Sequence, residues 1–207
     1  MTKFTDVRVF FVKTGRLKYI SHLDLYRTMG RAIKRSSIPV WITEGFNPHI
    51  YMTFALPLAL GIESEEESVD LRITEAVDLS TLEKRLNSVM PTGLGIIRAA
   101  APVRKASEIH KAHYKVDTAE PETLEKIGEY LSRSEIIITK KTKKNIREID
   151  IKPLLKWEAG ESCGFLTLPA GNTMNLNPWN VLSQFDGAGI MGIKRISILC
   201  EDGEVFT

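Results

Sequence analysis

Histidine is the side chain that most readily exchanges protons near neutral pH, and two histidines of this chain stand where they could do so. His22 follows Ser21 at a predicted helix start, and His49 ends the loop sequence Gly-Phe-Asn-Pro-His. The positive end of the helix dipole disfavours an imidazolium ion, so we expect a neutral His22. The two imidazoles could serve as general acid and general base in metal-independent cleavage of RNA. Alternatively, both side chains only satisfy backbone groups of the loops that carry them.

The residues around His22 include a serine and an aspartate, yet they do not form a catalytic triad. The side chains of Ser21, His22 and Asp24 diverge at a helix start and cannot meet in triad geometry. A serine followed three residues later by a carboxylate instead fits a capping box, which satisfies amides of the first helical turn. The chain contains neither a Walker-type phosphate loop nor a Gly-x-Gly-x-x-Gly fingerprint, which argues against nucleotide hydrolysis and dinucleotide-dependent chemistry.

The positions of histidine and cysteine disfavour metal and cluster sites. His110 and His113 could supply two nitrogens, but no third ligand accompanies them, so we interpret them as solvated linker residues. A catalytic iron–sulfur cluster needs at least three closely spaced thiolates, whereas the chain has only Cys163 and Cys200. We therefore expect no metal and no cofactor. Two distant cysteines also favour free thiols and a reducing, cytoplasmic compartment.

Positive charge is concentrated in two places, although the formal net charge is only +2. A lysine-rich hairpin turn and one face of the first helix could contact phosphates, and the loop that ends at His49 could contact an unpaired base or a phosphate. The predicted RNA-binding residues are Arg27, Arg31, Lys34, Arg35, Phe46, Asn47, Lys140, Lys141, Lys143, Lys144 and Arg147. The alternative for the hairpin is a charged edge that prevents pairing with other strands.

Hydrophobic periodicity predicts the elements that carry these residues, in the order β-α-β-β-α-β over residues 1–100. The first helix ends near Arg35, residues 50–60 form a buried strand, and residues 61–67 form an acidic turn. A second capping box, beginning at Ser80, opens the second helix. We expect one core from Leu23, Met29, Ile33, Phe54, Leu71, Leu82 and Leu86.

The second half of the chain is predicted to repeat this order. Residues 101–112 are interpreted as a linker, and residues 113–207 as a second β-α-β-β-α-β unit with an inserted hairpin. The order is that of the ferredoxin-like split βαβ pattern, so the predicted fold is α+β with two tandem ferredoxin-like units and antiparallel sheets. We also expect the loop of residues 43–49 to lie near the helix start at residues 21–24 and to shape a polar pocket there.

Two segments carry a resemblance to a known family. They are ISHLDLYRTMGRAIKRSSIPV, residues 20–40, and TEGFNPHIYMTFALPLALGIESEEESVDL, residues 43–71. In its first half, the chain closely resembles the radical-SAM-linked protein family, whose members occur free-standing or attached to radical-SAM enzymes. The resemblance implies an association with radical-SAM chemistry and names no substrate. At the level of the fold alone, the tandem arrangement is also similar to RNA-processing endoribonucleases.

These observations favour an accessory RNA-binding module that is not itself an enzyme. It would act with a separate radical-SAM enzyme in RNA modification or processing, because the chain lacks the thiolates of the cluster. We expect the RNA to be a transfer or ribosomal RNA. The alternatives are a metal-independent endoribonuclease that uses His22 and His49, or a protein-only scaffold for the radical-SAM partner. No apolar run is long enough to span a bilayer, so we expect no membrane partner.

Overall fold

The computed structural model describes residues 4–141, 146–185 and 189–207. The chain divides into two compact units, Met1–Ala106 with Thr207 and Ser107–Phe206. Within the described residues there are four α-helices, and the strands of each unit pair antiparallel. The predicted α+β class with antiparallel sheets is therefore confirmed.

The first unit, in its described part, contains four strands and two α-helices. In chain order they are β1 (Thr5–Lys13), α1 (His22–Arg35), β2 (Met52–Phe54), β3 (Glu63–Ile73), α2 (Leu79–Asn87) and β4 (Leu94–Ala100). The strands pair in the order β4-β1-β3-β2. Alternate residues of β1 and β3 point toward the helices, which is why β-branched and aromatic side chains recur there at every second position.

Both helices of the first unit begin at a side-chain cap. The Asp24 backbone N–H donates to Ser21 Oγ at 3.1 Å, so the predicted cap of α1 is confirmed. The cap of α2 is Asp78, whose carboxylate accepts from the Thr81 N–H at 2.9 Å, and the prediction of a cap at Ser80 was wrong by two residues. An aspartate caps a helix as well as a serine does, and Asp78 stands two residues before Ser80.

The core of the first unit differs from the predicted core at one helix position. Met29, Ile33, Leu71, Leu82 and Leu86 are buried, and Phe54 packs against them. Leu23, however, is 56% exposed, and Leu25 is buried in its place at 3% exposure. Leu25 lies on the same helix face as Met29 and Ile33, at i, i+4 and i+8, whereas Leu23 is two residues, about 200°, away from it.

The segment between α1 and β3 is less regular than expected. Of the predicted strand over residues 50–60, only Met52–Phe54 pairs with β3, although Leu56 and Leu58 are buried. Pro57 cannot donate to a ladder, which accounts for the early end of the strand. The predicted acidic turn over residues 61–67 was wrong from residue 63 onward, because Glu63–Ile73 forms β3.

The second unit, in its described part, contains six strands and two α-helices. In chain order they are β5 (Ile109–Thr118), α3 (Pro121–Leu131), β6 (Ile137–Lys141), β7 (Ile146–Asp150), β8 (Lys156–Ala159), β9 (Cys163–Pro169), α4 (Pro178–Val181) and β10 (Ile190–Cys200). The main sheet has the order β10-β5-β9-β8, and β6 and β7 form a separate hairpin. Helix α3 begins with Pro121 in its first turn, as predicted.

The expected linker overlaps this second unit. Residues 109–112 belong to β5, so His110 and His113 are strand residues, and their interpretation as linker histidines was wrong. Cys163 is half-buried, Cys200 is buried, and both are free thiols. In the part of the chain that the structure describes, no helix is both long and apolar enough to cross a membrane.

Candidate functional site

A groove of about 250 Å³ runs along α1 in the first unit. Helix α1 forms one wall, and the segment that leads from the loop of residues 43–49 into β2 forms the other. The lining residues are Tyr26, Arg27, Gly30, Arg31, Lys34, Pro48, His49, Ile50 and Met52. This α1 groove brings together three of the four predicted basic residues of the helix and the predicted histidine of the loop.

The three cations of the α1 groove come from one helix face because of their spacing. Arg27, Arg31 and Lys34 lie at i, i+4 and i+7, and all three are exposed. From first to last they span about 10 Å along the helix axis. Arg27 also lies 3.5 Å from the exposed Asp24 carboxylate, a contact that water screens strongly. No carboxylate occurs among the described residues that line the groove.

Arg35, the fourth predicted cation of α1, lies elsewhere. Its Nη2 donates to the Val89 carbonyl at 2.9 Å, just beyond the C-terminal end of α2. Its guanidinium therefore supports the contact between the two helices and does not line the α1 groove.

The loop that supplies His49 is held by its own hydrogen bonds. The Thr43 N–H donates to the His49 carbonyl at 2.8 Å, and the His49 N–H donates to Thr43 Oγ1 at 3.1 Å. His49 Nδ1 lies 2.8 Å from the Asn47 carbonyl oxygen, which can only accept, so Nδ1 carries the hydrogen and Nε2 can act as an acceptor. Gly45 has a φ of 116°, which a side chain rarely allows.

Phe46 is the most exposed aromatic residue of this loop. Its relative exposure is 113%, so the ring makes no substantial packing contact within the chain. Asn47 is exposed as well, and the next two residues of the loop, Pro48 and His49, line the α1 groove. A fully exposed aromatic ring in a loop whose His49 lines a groove with three cations suits a ligand that carries both a planar ring and negative charge.

His22 has different surroundings from His49. Its ring lies 5.1 Å from the Phe54 ring in an edge-on arrangement. Partial burial lowers the pKa of His22 first, and the Lys13 cation lowers it further, while Glu67 opposes the shift. The neutral imidazole expected from the helix dipole thus has burial as its main cause.

The loop of residues 43–49 reaches α1 through His49, which lines the groove with helix residues from Tyr26 to Lys34, and its predicted proximity to residues 21–24 stays a prediction. His49 lines the groove with Arg27, Arg31 and Lys34, whereas Phe54 packs against His22. His22 is not among the residues that line the groove.

Sequence reasoning missed two buried charged residues that act on His22. Lys13 is 1% exposed and Glu67 is 3% exposed, and both act electrostatically on His22. Lys13 Nζ donates to the carbonyls of Lys18 and Ile20, each at 3.4 Å. Their positions gave a signal, since Lys13 continues the inward alternation of Val9 and Phe11.

The predicted basic hairpin is described only in part. The backbones of Lys140, Lys141 and Arg147 lie in β6 and β7, and Lys143 and Lys144 lie outside the described residues. No group of three or more His, Cys, Asp or Glu side chains that could hold a metal occurs within the described ranges.

The fold and the α1 groove define an α+β protein whose first unit has a basic surface groove, lined in part by a loop that carries an exposed phenylalanine. Residues 7–178 match the model of a family described as an uncharacterized protein conserved in bacteria (DUF2344), and the chain belongs to that family. No curated protein matches the chain.

Proposed function

We propose that the protein is an RNA-binding accessory module and that the α1 groove holds the RNA. The observation that carries this proposal is the convergence of Arg27, Arg31 and Lys34 with His49 in one groove whose described lining has no carboxylate. Guanidinium and ammonium groups at this spacing suit successive phosphates of a polynucleotide. Such contacts would fix the RNA without reading its sequence.

The loop of residues 43–49 adds the features that distinguish RNA from a simple anion. Phe46 offers a ring for stacking with an unpaired base, and Asn47 offers an amide beside it. His49 Nε2 can accept a hydrogen bond from a base or from a ribose hydroxyl. We therefore assign base contact to the loop and phosphate contact to the helix, with the lysine-rich hairpin as a further phosphate contact.

The partner in this proposal is a separate radical-SAM enzyme, acting on a transfer or ribosomal RNA in the cytoplasm. The support for it is the resemblance carried by residues 20–40 and 43–71. We further propose that both units are ferredoxin-like. In support, the strand order β4-β1-β3-β2 of the first unit is repeated as β10-β5-β9-β8 in the second, with β6 and β7 as an inserted hairpin.

Of the two alternatives, the endoribonuclease is less well supported by the geometry. His49 lines the α1 groove, whereas His22 packs against Phe54 and is not among the residues that line that groove, so no observed site contains both imidazoles. The protein-only scaffold becomes the leading function if the full-length protein binds no RNA at low salt while the radical-SAM enzyme still copurifies with it.

The test is the salt dependence of RNA binding by the full-length protein. Binding of a labelled single-stranded RNA is measured by fluorescence anisotropy at several salt concentrations. Replacing Arg27, Arg31 and Lys34 by alanine should flatten the slope of log affinity against log salt by about 2.1, because each phosphate that is no longer neutralised contributes about 0.7. An unchanged slope in this triple variant contradicts the proposal.

Arg35→Ala is the matched control. It removes the same charge from the same helix, but its guanidinium is held at the Val89 carbonyl and not in the groove. The slope for Arg35→Ala should equal that of the wild type, whereas Arg31→Ala alone should flatten it by about 0.7. Equal effects of the two substitutions would indicate attraction by the overall charge and not binding in the groove.

A further inference from the structure

The second unit carries an ordered polar surface that the sequence pattern did not predict. On the face of its main sheet opposite the buried Tyr114 and Leu166, side chains of four strands stand in direct cross-strand register. One row consists of Ser197, His113, Thr167 and Lys156, and the next consists of Lys194, Lys115, Phe165 and Glu158. We call this surface the outer face of the second unit.

Two rings occupy the middle of the outer face, on the neighbouring strands β5 and β9. The His113 and Phe165 rings lie 5.7 Å apart at an angle of 12° and are therefore nearly parallel. His113 Nδ1 lies 2.8 Å from Thr167 Oγ1, which fixes the orientation of the imidazole. Burial lowers the pKa of His113, so its ring is predominantly neutral at pH 7. Both rings are half-buried and held in place before any ligand arrives.

Lysines surround these rings. Lys111, Lys115, Lys156 and Lys194 all lie on the outer face. Two of them have a carboxylate neighbour on their own strand, since Lys156 Nζ is 2.5 Å from Glu158 and Lys115 Nζ is 2.8 Å from Asp117. With Asp117, Glu158 and Glu201 counted, the four lysines leave a formal charge of +1 around the rings, and their ammonium groups offer contacts to phosphate.

The outer face also contains space for a ligand. A cavity of about 440 Å³ opens beside His113, and Lys111, Lys156, Thr167 and Ser197 line it as well. His110, Glu158 and Cys200 contribute to the same cavity, yet no metal-binding group of three such residues occurs in the described chain. The ammonium groups of Lys111 and Lys156 line it beside the carboxylates of Glu158 and Glu201, and they can contact negatively charged groups of a ligand.

We propose that the outer face of the second unit is a second RNA contact, which takes a single-stranded segment with an unpaired base stacked on the His113 and Phe165 rings. Lys111 and Lys156 contact the phosphates that flank this base. The inference rests on the proposed function, because it concerns the same RNA, and it adds that this RNA is unpaired where it crosses the second unit.

The physical reason for single-stranded RNA is access to the base. In an A-form duplex both faces of each base are covered by its neighbours, so an aromatic side chain on a sheet can stack only with a base that is unpaired or at an end. Aromatic residues on the middle strands of an antiparallel sheet are a recurrent way to hold such bases. Stacking of this kind tolerates any base, because every base has a π-face.

The experiment compares how tightly the full-length protein binds a labelled single-stranded RNA and an RNA duplex of the same length. The RNA has about 12 nucleotides, which is within the site size of one single-strand-binding domain. The variants are Phe165→Leu, which keeps an apolar side chain, and His113→Gln, which keeps a hydrogen-bonding partner for Thr167. Each should weaken binding of the single strand about tenfold, within the range for removal of one base–aromatic stack. Binding of the duplex should change less than about twofold, since its bases are not free to stack. Thermal unfolding identifies any variant that does not fold.

A matched pair of lysine variants tests the phosphate contacts. Lys156→Ala should flatten the salt dependence for the single strand by about 0.7. Lys126→Ala removes the same charge from an exposed position on α3, a helix on the other side of the sheet, and should leave the slope unchanged. Equal slopes for Lys156→Ala and Lys126→Ala overturn the assignment of phosphate contacts to this face.

The outcomes separate this inference from the proposed function. If Arg27, Arg31 and Lys34 variants weaken RNA binding while Phe165→Leu and His113→Gln do not, the α1 groove stands and the second contact is refuted. If the Phe165 and His113 variants alone weaken binding, the second contact stands without the groove. If the wild type binds neither RNA at low salt, both are refuted.

Discussion

Leu25→Ala should destabilise the protein far more than Leu23→Ala, although the two residues are close together on α1. Leu25 is 3% exposed and packs in the core of the first unit, whereas Leu23 is 56% exposed. Truncating a buried leucine costs about 2–5 kcal/mol, because apolar burial is reduced and a cavity remains. An exposed position without special contacts changes stability by about 0.5 kcal/mol or less. Both substitutions exchange one strong helix former for another, so helix propensity largely cancels between them.

Urea unfolding of the wild type and both variants measures this difference. With a slope of about 2 kcal/mol per molar urea, a destabilisation of about 3 kcal/mol lowers the midpoint by about 1.5 M. Leu23→Ala should leave the midpoint within about 0.3 M of the wild type. Similar midpoints for the two variants, or a larger decrease for Leu23→Ala, would refute the placement of α1 against the sheet.

Three further predictions concern local packing, protonation and capping. In Gly164→Ala the new Cβ would lie 1.9 Å from Trp157 Cη2, so we expect urea unfolding to show a destabilisation of about 1–3 kcal/mol. Gly192 faces open space, so Gly192→Ala should leave the stability nearly unchanged. Because the folded-state pKa of His22 lies below 6.5, protonation of this histidine favours the unfolded chain. The wild type should therefore lose stability relative to His22→Gln as the pH falls below about 6.5. A series of thermal unfolding measurements from about pH 8 to about pH 5 that shows the opposite trend contradicts this prediction. Asp78→Ala should lower the unfolding temperature at pH 7, because the first turn of α2 loses its side-chain cap. The difference in unfolding temperature from the wild type should become smaller as the pH falls through the carboxyl range, because the Asp78 carboxylate of the wild type is then protonated too.

Local features of the sequence determined where most elements begin and end. Ser21 fixes the start of α1 and Pro121 that of α3, because a cap and a first-turn proline act within a few residues of chain. The alternation of β1 and the order of strands and helices followed from periodicity in the same way. At α2 the predicted cap, Ser80, lies two residues beyond the actual cap, Asp78, because both residue types can cap a helix.

Only one part of the candidate site, the helix face, could be predicted from local sequence. The spacing of Arg27, Arg31 and Lys34 placed them on one helix face, since i, i+4 and i+7 always share a face. Which residues of α1 the loop would meet was not encoded locally, and only the structure shows His49 in one groove with Arg27, Arg31 and Lys34. Arg35 has the same charge as Lys34 and is its neighbour in the sequence, yet its guanidinium binds the Val89 carbonyl and does not line the groove.

The tertiary structure alone decided which residues meet across strands and which helix face is buried. Leu23 and Leu25 are equally apolar, and only the position of the sheet buries one and exposes the other. Similarly, no local rule pairs His113 with Thr167 and Ser197, because these partners are 54 and 84 residues away along the chain. Sequence periodicity acts over one or two turns, whereas cross-strand register is set by the packing of the whole unit, and the outer face of the second unit exists only through that packing.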